Sequence, residues 1–164
     1  MLAINNDFTT QLTRQIAKSW ELQDGPLKFE EKAIILVSSM AGITPAPLCS
    51  VYGASKAFLI SLAQSLRIEL RGVCSVHVSC PGMVVAGNTF RWFGPERMRY
   101  ADVITAQTAA QGILCWVGGY CTVTTTSMIH YICMLLMTWL PSPVTGYMVF
   151  LQHRLAVERN RPTG

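Results

Sequence analysis

Charge is what this 164-residue sequence has least of. Asp, Glu, Lys and Arg make up 13% of it and hydrophobic residues 51%, whereas a soluble domain usually carries roughly 25% charged residues. That balance excludes a disordered chain, a charged coiled coil and a nucleic-acid-binding tail. The deficit is regional: the 51 residues from Val103 to His153 contain no Asp, Glu, Lys or Arg, and only His130 and His153 can become cationic there. The net charge of +4 is modest and its Lys and Arg are scattered. No basic stripe tracks phosphates, so nucleic acid is not an expected partner. C-x-x-C pairs are also absent among Cys49, Cys74, Cys80, Cys115, Cys121 and Cys133. The polar opening MLAINNDFTT carries no secretory signal pattern. Both absences speak against a disulfide framework or a zinc site, and for reduced thiols that mostly act as small buried hydrophobes.

The length suits one domain. Phe8, Leu12, Ile16 and Trp20 form one stripe of a helix expected over residues 5–20. A polar Gly-Pro-containing loop, Glu21 to Lys32, leads to Ala33-Ile34-Ile35-Leu36-Val37, an apolar run of strand length without alternation. Such a run suits a strand covered on both faces in a parallel sheet. Gly42, Pro45 and Pro47 mark the next segment as a loop. Ser50 is placed to cap a helix carrying Leu59, Leu62, Ala63, Leu66 and Leu70, with Gly72 as its stop. Cys74 to Cys80 alternates and reads as a strand ended by Pro81-Gly82. Strand, helix, strand is a βαβ unit. From Asp102 onward, Val103, Ala106, Ala110, Ile113, Leu114 and Val117 predict a further helix stopped by Gly118-Gly119.

Residues 128–152 are of another kind. Met128 to Leu140 is almost wholly apolar, Pro141-Ser142-Pro143 interrupts it, and Val144 to Leu151 is apolar again. Each half is shorter than the roughly 20 residues that span a bilayer. A broken helical hairpin or interfacial anchor fits, with Arg154, Arg159 and Arg161 behind it to meet an anionic leaflet. A buried core helix or an oligomer interface is the alternative.

Tyr52 and Lys56 stand at i and i+4 near the start of the long helix, so their side chains share a face. A phenol, with a usual pKa of about 10, becomes an acid–base catalyst near neutrality when a cation stabilises its phenolate. Lys56 can supply that cation, although such a pair also occurs on ordinary surface helices. Ser39 lies thirteen residues before Tyr52, at the C-terminal end of the apolar strand, where open parallel sheets place ligands. Its hydroxyl could instead serve a turn. Together the three could grip a carbonyl oxygen, with Ser39 and Tyr52 donating to it and Tyr52 handing it a proton.

Ile35-Leu36-Val37-Ser38-Ser39, then Tyr52-Gly53-Ala54-Ser55-Lys56-Ala57, then Cys80-Pro81-Gly82 resembles the catalytic part of a short-chain dehydrogenase/reductase. The resemblance covers about residues 3 to 117. Pro45-Ala46-Pro47-Leu48, Phe58 and the apolar C-terminal segment are similar to the branch of very-long-chain 3-oxoacyl-CoA reductases and 17β-hydroxysteroid dehydrogenases, which sit in the endoplasmic reticulum membrane. It implies an α/β fold: part of a Rossmann-like, doubly wound parallel sheet over residues 1–118, the C-terminal half of the family fold. Residues 119–164 would form an apolar, membrane-associated helical extension with a basic tail.

The resemblance puts the family's catalytic Ser, Tyr and Lys on Ser39, Tyr52 and Lys56. It puts the Asn that holds a proton-relaying water on Asn5, though Asn6 is adjacent and an Asn near a helix start also caps. Tyr52, Lys56, Pro81, Gly82 and Val84 would border the nicotinamide and its ribose. The implied cofactor is NADPH and the implied reaction is reduction of a ketone in a lipid or acyl-CoA substrate, with a 17-ketosteroid as the alternative.

Three departures stand against this. Ala86 occupies the place of a cofactor-bonding Thr, with Thr89 out of register, and neither the glycine-rich TGxxxGxG turn nor the N-N-A-G strand end occurs. The pyrophosphate site relies on that turn. The sequence therefore reads as the C-terminal part of a family member, in isolation a catalytically silent remnant or membrane-associated interaction module. Half a doubly wound sheet leaves a strand edge for a second copy or another polypeptide to cover.

Overall fold

The computed structural model describes residues 1–21, 32–85, 103–119 and 123–159. Its βαβ unit follows from the apolar runs on either side of the long helix. Strand β1, Ala33–Val37, leads through a short 3-10 turn, Met40–Gly42, into α2, Ser50–Glu69, and back to β2, Ser75–Ser79. Ahead of β1 stands α1, Thr9–Glu21, itself preceded by a π-helical turn, Ala3–Phe8. Strands β1 and β2 pair in parallel, from Ala33 opposite Ser75 to Val37 opposite Ser79. On the other side of β2 a strand not foreseen in the sequence, β5 at Val123–Thr124, pairs in parallel with Val78 and Ser79. The fold is α/β with parallel strands, as expected.

The core lies where α2 packs on this sheet. Ala63, Val76, Val78 and Cys80 are fully buried, joined by Leu36, Leu59 and Cys74. The middle position of β2 buries its polar residues as well: His77 and Ser79 are 2% and 1% exposed. His77 Nε2 accepts from the Gly118 amide at 3.1 Å, whereas Ser79 Oγ has no partner. Strand β1 is covered less evenly than its apolar run suggested. Ile34 and Leu36 are buried, but Val37 is 49% exposed, because β1 lies at the sheet edge beside an open groove of about 520 Å³.

The helix expected over residues 5–20 is present; Leu12, Ile16 and Trp20 of its stripe line that groove, and Thr13 and Ala17 are its buried residues. Three local expectations are corrected. Ser50 does not cap α2: Cys49 holds the cap position without a side-chain bond, and Ser50 is already helical. The chain enters there through Leu48, whose φ of 67° is left-handed. Val103–Thr105 is strand β4, not helix, and it pairs in parallel with β3, Met83–Val85. Three β-branched residues in a row suit a strand better than a helix. Thr105 then caps α3, Ala106–Leu114, by accepting from the Thr108 amide at 3.1 Å. Third, the cysteines are not mostly core. Cys74 and Cys80 are buried, Cys49 and Cys133 are half-buried, and Cys115 is exposed; Cys121 lies outside the described residues.

Gly72 and Gly118 do end their elements, at φ values of +94° and +81°. The apolar C-terminal segment forms α4, Met128–Trp139, and α5, Ser142–Arg159, separated at Leu140–Pro141. Leu140 is extended, as proline disfavours α geometry in the residue before it. Among the described residues no helix is long and apolar enough to cross a membrane. The Glu21–Lys32 loop falls almost wholly outside the described residues, as do Ala86, Thr89 and Arg161.

Candidate active site

Sheet geometry brings the chemistry to one end. Ser39 stands two residues past the end of β1, and the first turns of α2 return past that end carrying Tyr52 and Lys56. The loop in between packs against α2 so closely that a Cβ on Gly42 would stand 2.7 Å from the Lys56 carbonyl carbon, and one on Gly53 would stand 2.9 Å from the Ala41 oxygen. Glycine at both positions lets backbone meet backbone.

Lys56 Nζ lies 5.7 Å from the centre of the Tyr52 ring and donates to the Val37 carbonyl at 2.9 Å. Burial pushes the Lys56 ammonium below the usual lysine range, with Cys80 opposing. A lysine so placed gives up a proton more readily than one in water. Ser39 Oγ accepts from the Ala41 amide at 3.2 Å and caps the 3-10 turn. That contact uses a lone pair and leaves the hydroxyl hydrogen for a ligand, so the turn contact does not exclude a catalytic role.

Asn5 reaches α2 from the π-helical turn. Its Nδ2 donates to Ser55 Oγ at 3.2 Å, and Ser55 Oγ donates to the Tyr52 carbonyl at 2.8 Å. Asn5 thus bears on the turn that carries Tyr52 and Lys56, while the neighbouring Asn6 has a buried Oδ1 without a partner. Pro81 and Gly82 follow β2 at the same sheet end, and the Pro81 carbonyl accepts from the Met40 amide, next to Ser39, at 3.0 Å. Val84 lies one step farther on, in β3 opposite Ile104.

Several neighbours went unnoticed in the sequence. Ser55 sits inside the Tyr-x-x-x-Lys spacing and is fully buried; its small size within a motif helix was the available signal. Ser38 Oγ donates to the Lys56 carbonyl at 2.7 Å. Cys80 is buried beside Lys56, and that burial pushes its thiol up to about 11 despite hydrogen bonds from Ser38 and Ser39. It is a packing thiol rather than a nucleophile. His130 of α4 accepts from the Gly82 amide, a contact no sequence spacing announces.

Ser39 thus stands past the end of a parallel strand, in the turn that packs on the helix carrying Tyr52 and Lys56. Residues 1–93 match the short chain dehydrogenase family, and the chain belongs to it. Among its relatives, 11-beta-hydroxysteroid dehydrogenase-like 4A of Arabidopsis thaliana is 37% identical over 95 residues, 58% of this chain and 32% of that protein. A very-long-chain 3-oxoacyl-CoA reductase of Yarrowia lipolytica is 35% identical over 74 residues, 43% of this chain and 19% of the reductase. The chain therefore spans about a third or less of the length of these relatives. The fold is similar to a solved structure from work on 7beta-hydroxysteroid dehydrogenase stereoselectivity, with a TM-score of 0.75 at 17% identity over 91% of this chain and 57% of that one.

Proposed function

We propose that this chain carries the catalytic half of an NADPH-dependent reductase acting on a ketone in a lipid substrate, a 3-oxoacyl-CoA in preference to a 17-ketosteroid. The observation that carries the reading is the Lys56 ammonium 5.7 Å from the Tyr52 ring, on the helix that passes the end of β1 beside Ser39. The Yarrowia lipolytica relative supports the acyl-CoA substrate by its name, and the hydroxysteroid dehydrogenase-like relative keeps the steroid in view.

The residues present fit one end of the cofactor. Tyr52, Lys56, Pro81, Gly82 and Val84 would hold the nicotinamide and its ribose. The glycine-rich turn for the pyrophosphate does not occur in the sequence, and Gly42, Gly53, Gly82 and Gly112 are each packed against backbone or a ring. When bound, NADPH supplies the hydride for the carbonyl carbon. The Ser39 hydroxyl orients the carbonyl oxygen, and Tyr52 donates its phenolic proton to that oxygen as charge develops. Lys56 stabilises the phenolate left behind. Asn5 steadies the Tyr52–Lys56 turn through Ser55.

In a catalytically competent assembly, Tyr52→Phe lowers ketone reduction by about a thousandfold or more while circular dichroism stays native. Retained turnover would remove Tyr52 from the mechanism.

A second reading has its own observation. Among the described strands β1 lies at the sheet edge, and Lys56 is bonded to the Val37 carbonyl there. We propose that the 164 residues alone are catalytically silent and that a further polypeptide or a second copy covers this edge. Tight NADPH binding by the monomeric chain, followed by calorimetry, would sink that reading.

For location, we propose association with the endoplasmic reticulum membrane through the apolar outer residues of α4 and α5. Trp139 is 87% and Met128 74% exposed, which suits helices lying in the interface.

A further inference from the structure

The Pro81–Gly82 peptide is gripped at both ends. Its carbonyl accepts from the Met40 amide at 3.0 Å, immediately after Ser39, and its N–H donates to His130 Nδ1 at 3.2 Å. A trans peptide is planar, so fixing both ends fixes the plane. His130 is 1% exposed and is the buried residue of α4. It is braced in turn: Thr126 Oγ1 lies 2.9 Å from Nδ1, and a Cβ on Gly112 of α3 would collide with the Thr126 carbonyl. An Nδ1 that accepts from Gly82 carries no hydrogen, which puts the ring proton of the neutral imidazole on Nε2 and leaves Thr126 Oγ1 to share the single Nδ1 lone pair as a second donor. The ring also occupies the space a side chain at 82 would need, since a Cβ there would stand 2.6 Å from Nε2 and Cδ2.

We propose that His130 is a positioning residue. Its imidazole sets the Pro81–Gly82 peptide plane, and through it both the Ser39 turn and the segment that the proposed function places against the nicotinamide. The inference rests on that function for its purpose, but its geometry can be tested without cofactor. A residue that merely fills volume is replaceable by Leu, whereas a clamp needs an acceptor where Nδ1 stands. The oxygen of an asparagine side chain reaches that position.

Nitrogen-15 chemical shifts of the intact 164-residue chain are expected to show Nε2–H and a bare Nδ1 on His130. A proton on Nδ1 would overturn the clamp, and this measurement needs no variant. Amide exchange at Gly82 should quicken about tenfold in His130→Leu and return to within about threefold of native in His130→Asn, the scale of one hydrogen bond. Equal exchange in both variants would overturn it. Gly82→Ala should lower the folding equilibrium constant at least about tenfold in the native background and far less in His130→Ala, where the ring no longer collides. Additive effects would count against the contact. Turnover in a catalytically competent assembly separates the layers: if Tyr52→Phe leaves ketone reduction intact, the proposed function falls, while the tautomer, exchange and coupling results still decide the clamp.

Discussion

The sheet unit and the C-terminal helices are both rich in apolar residues, yet the sheet unit encloses its own and the helices expose theirs. In β2, Val76 and Val78 are fully enclosed, together with His77 and Ser79. In α4 and α5 the enclosed residues among the described ones are His130 and Thr145, each 1% exposed, while Met128, Leu136, Trp139 and Tyr147 are 61–87% exposed, with Tyr147 at 62%. Polar contacts tie these helices to the loops of the sheet unit: His130 to Gly82, and His153 Nδ1 to the Pro47 carbonyl at 2.7 Å. Hydrophobic composition therefore describes two different objects here. One is a core, and the other is an outward apolar surface of the kind that marks a binding face.

A charge distinguishes them most sharply. Val78→Asp should cost more than about 4 kcal/mol and abolish the cooperative urea transition, because an unpaired carboxylate cannot be buried. Trp139→Asp should change stability by less than about 0.5 kcal/mol. Similar losses from both would erase the contrast.

The next test is alkaline. The Cys80 thiol is raised from 9.0 to about 11, so between those values the unfolded chain loses its proton while the folded chain keeps it. Stability contributed by Cys80 is therefore complete below pH 9.0 and is lost as pH rises through about 11, by up to about 3 kcal/mol. Lys56 is lowered by burial, so the folded chain releases that proton first and stability gains with rising pH over its window. The difference between native and Cys80→Ala unfolding curves at each pH isolates the thiol, and a pH-independent difference would contradict its burial.

Partition onto anionic vesicles reads the outward surface. Trp139→Asp should weaken sedimentation with vesicles about tenfold or more, and an unchanged partition would direct that surface to a protein partner instead. The smallest effect belongs to the sheet. Ser79→Ala removes a buried hydroxyl without a partner and should raise stability by about 1 kcal/mol in urea denaturation.

Much of the sheet unit was legible because its signals are local. A run of five apolar residues, a helix-spaced leucine series and a glycine stop place β1 and α2 within a residue or two. Ser39, Tyr52 and Lys56 could be read because two short spacings fix them on one strand end and one helix face. What escaped depends on distant partners. Strand β5 has two residues and exists only because β2 offers it an edge. Val103–Thr105 follows a helix-like spacing of apolar residues, and its pairing with Met83–Val85 decided the matter. The groove-facing stripe of α1 carries a sound helical period, but periodicity gives a face without saying what covers it. His130 stands out in sequence only as one of two residues able to become cationic in an uncharged stretch, and nothing near it in sequence points to Gly82.

The middle place of β2 also governs how the chain closes as it is synthesised. Strand β1 precedes β2 and β5 follows it, so on the ribosome the sheet assembles in two stages. The β1–α2–β2 unit can dock once Ser79 has left the exit tunnel, using contacts already made. The other edge of β2 waits for Thr124, whose carbonyl accepts from the Cys80 amide at 2.7 Å. A nascent chain paused between those residues presents an unpaired strand beside a finished core, the state most open to pairing with a neighbouring nascent chain.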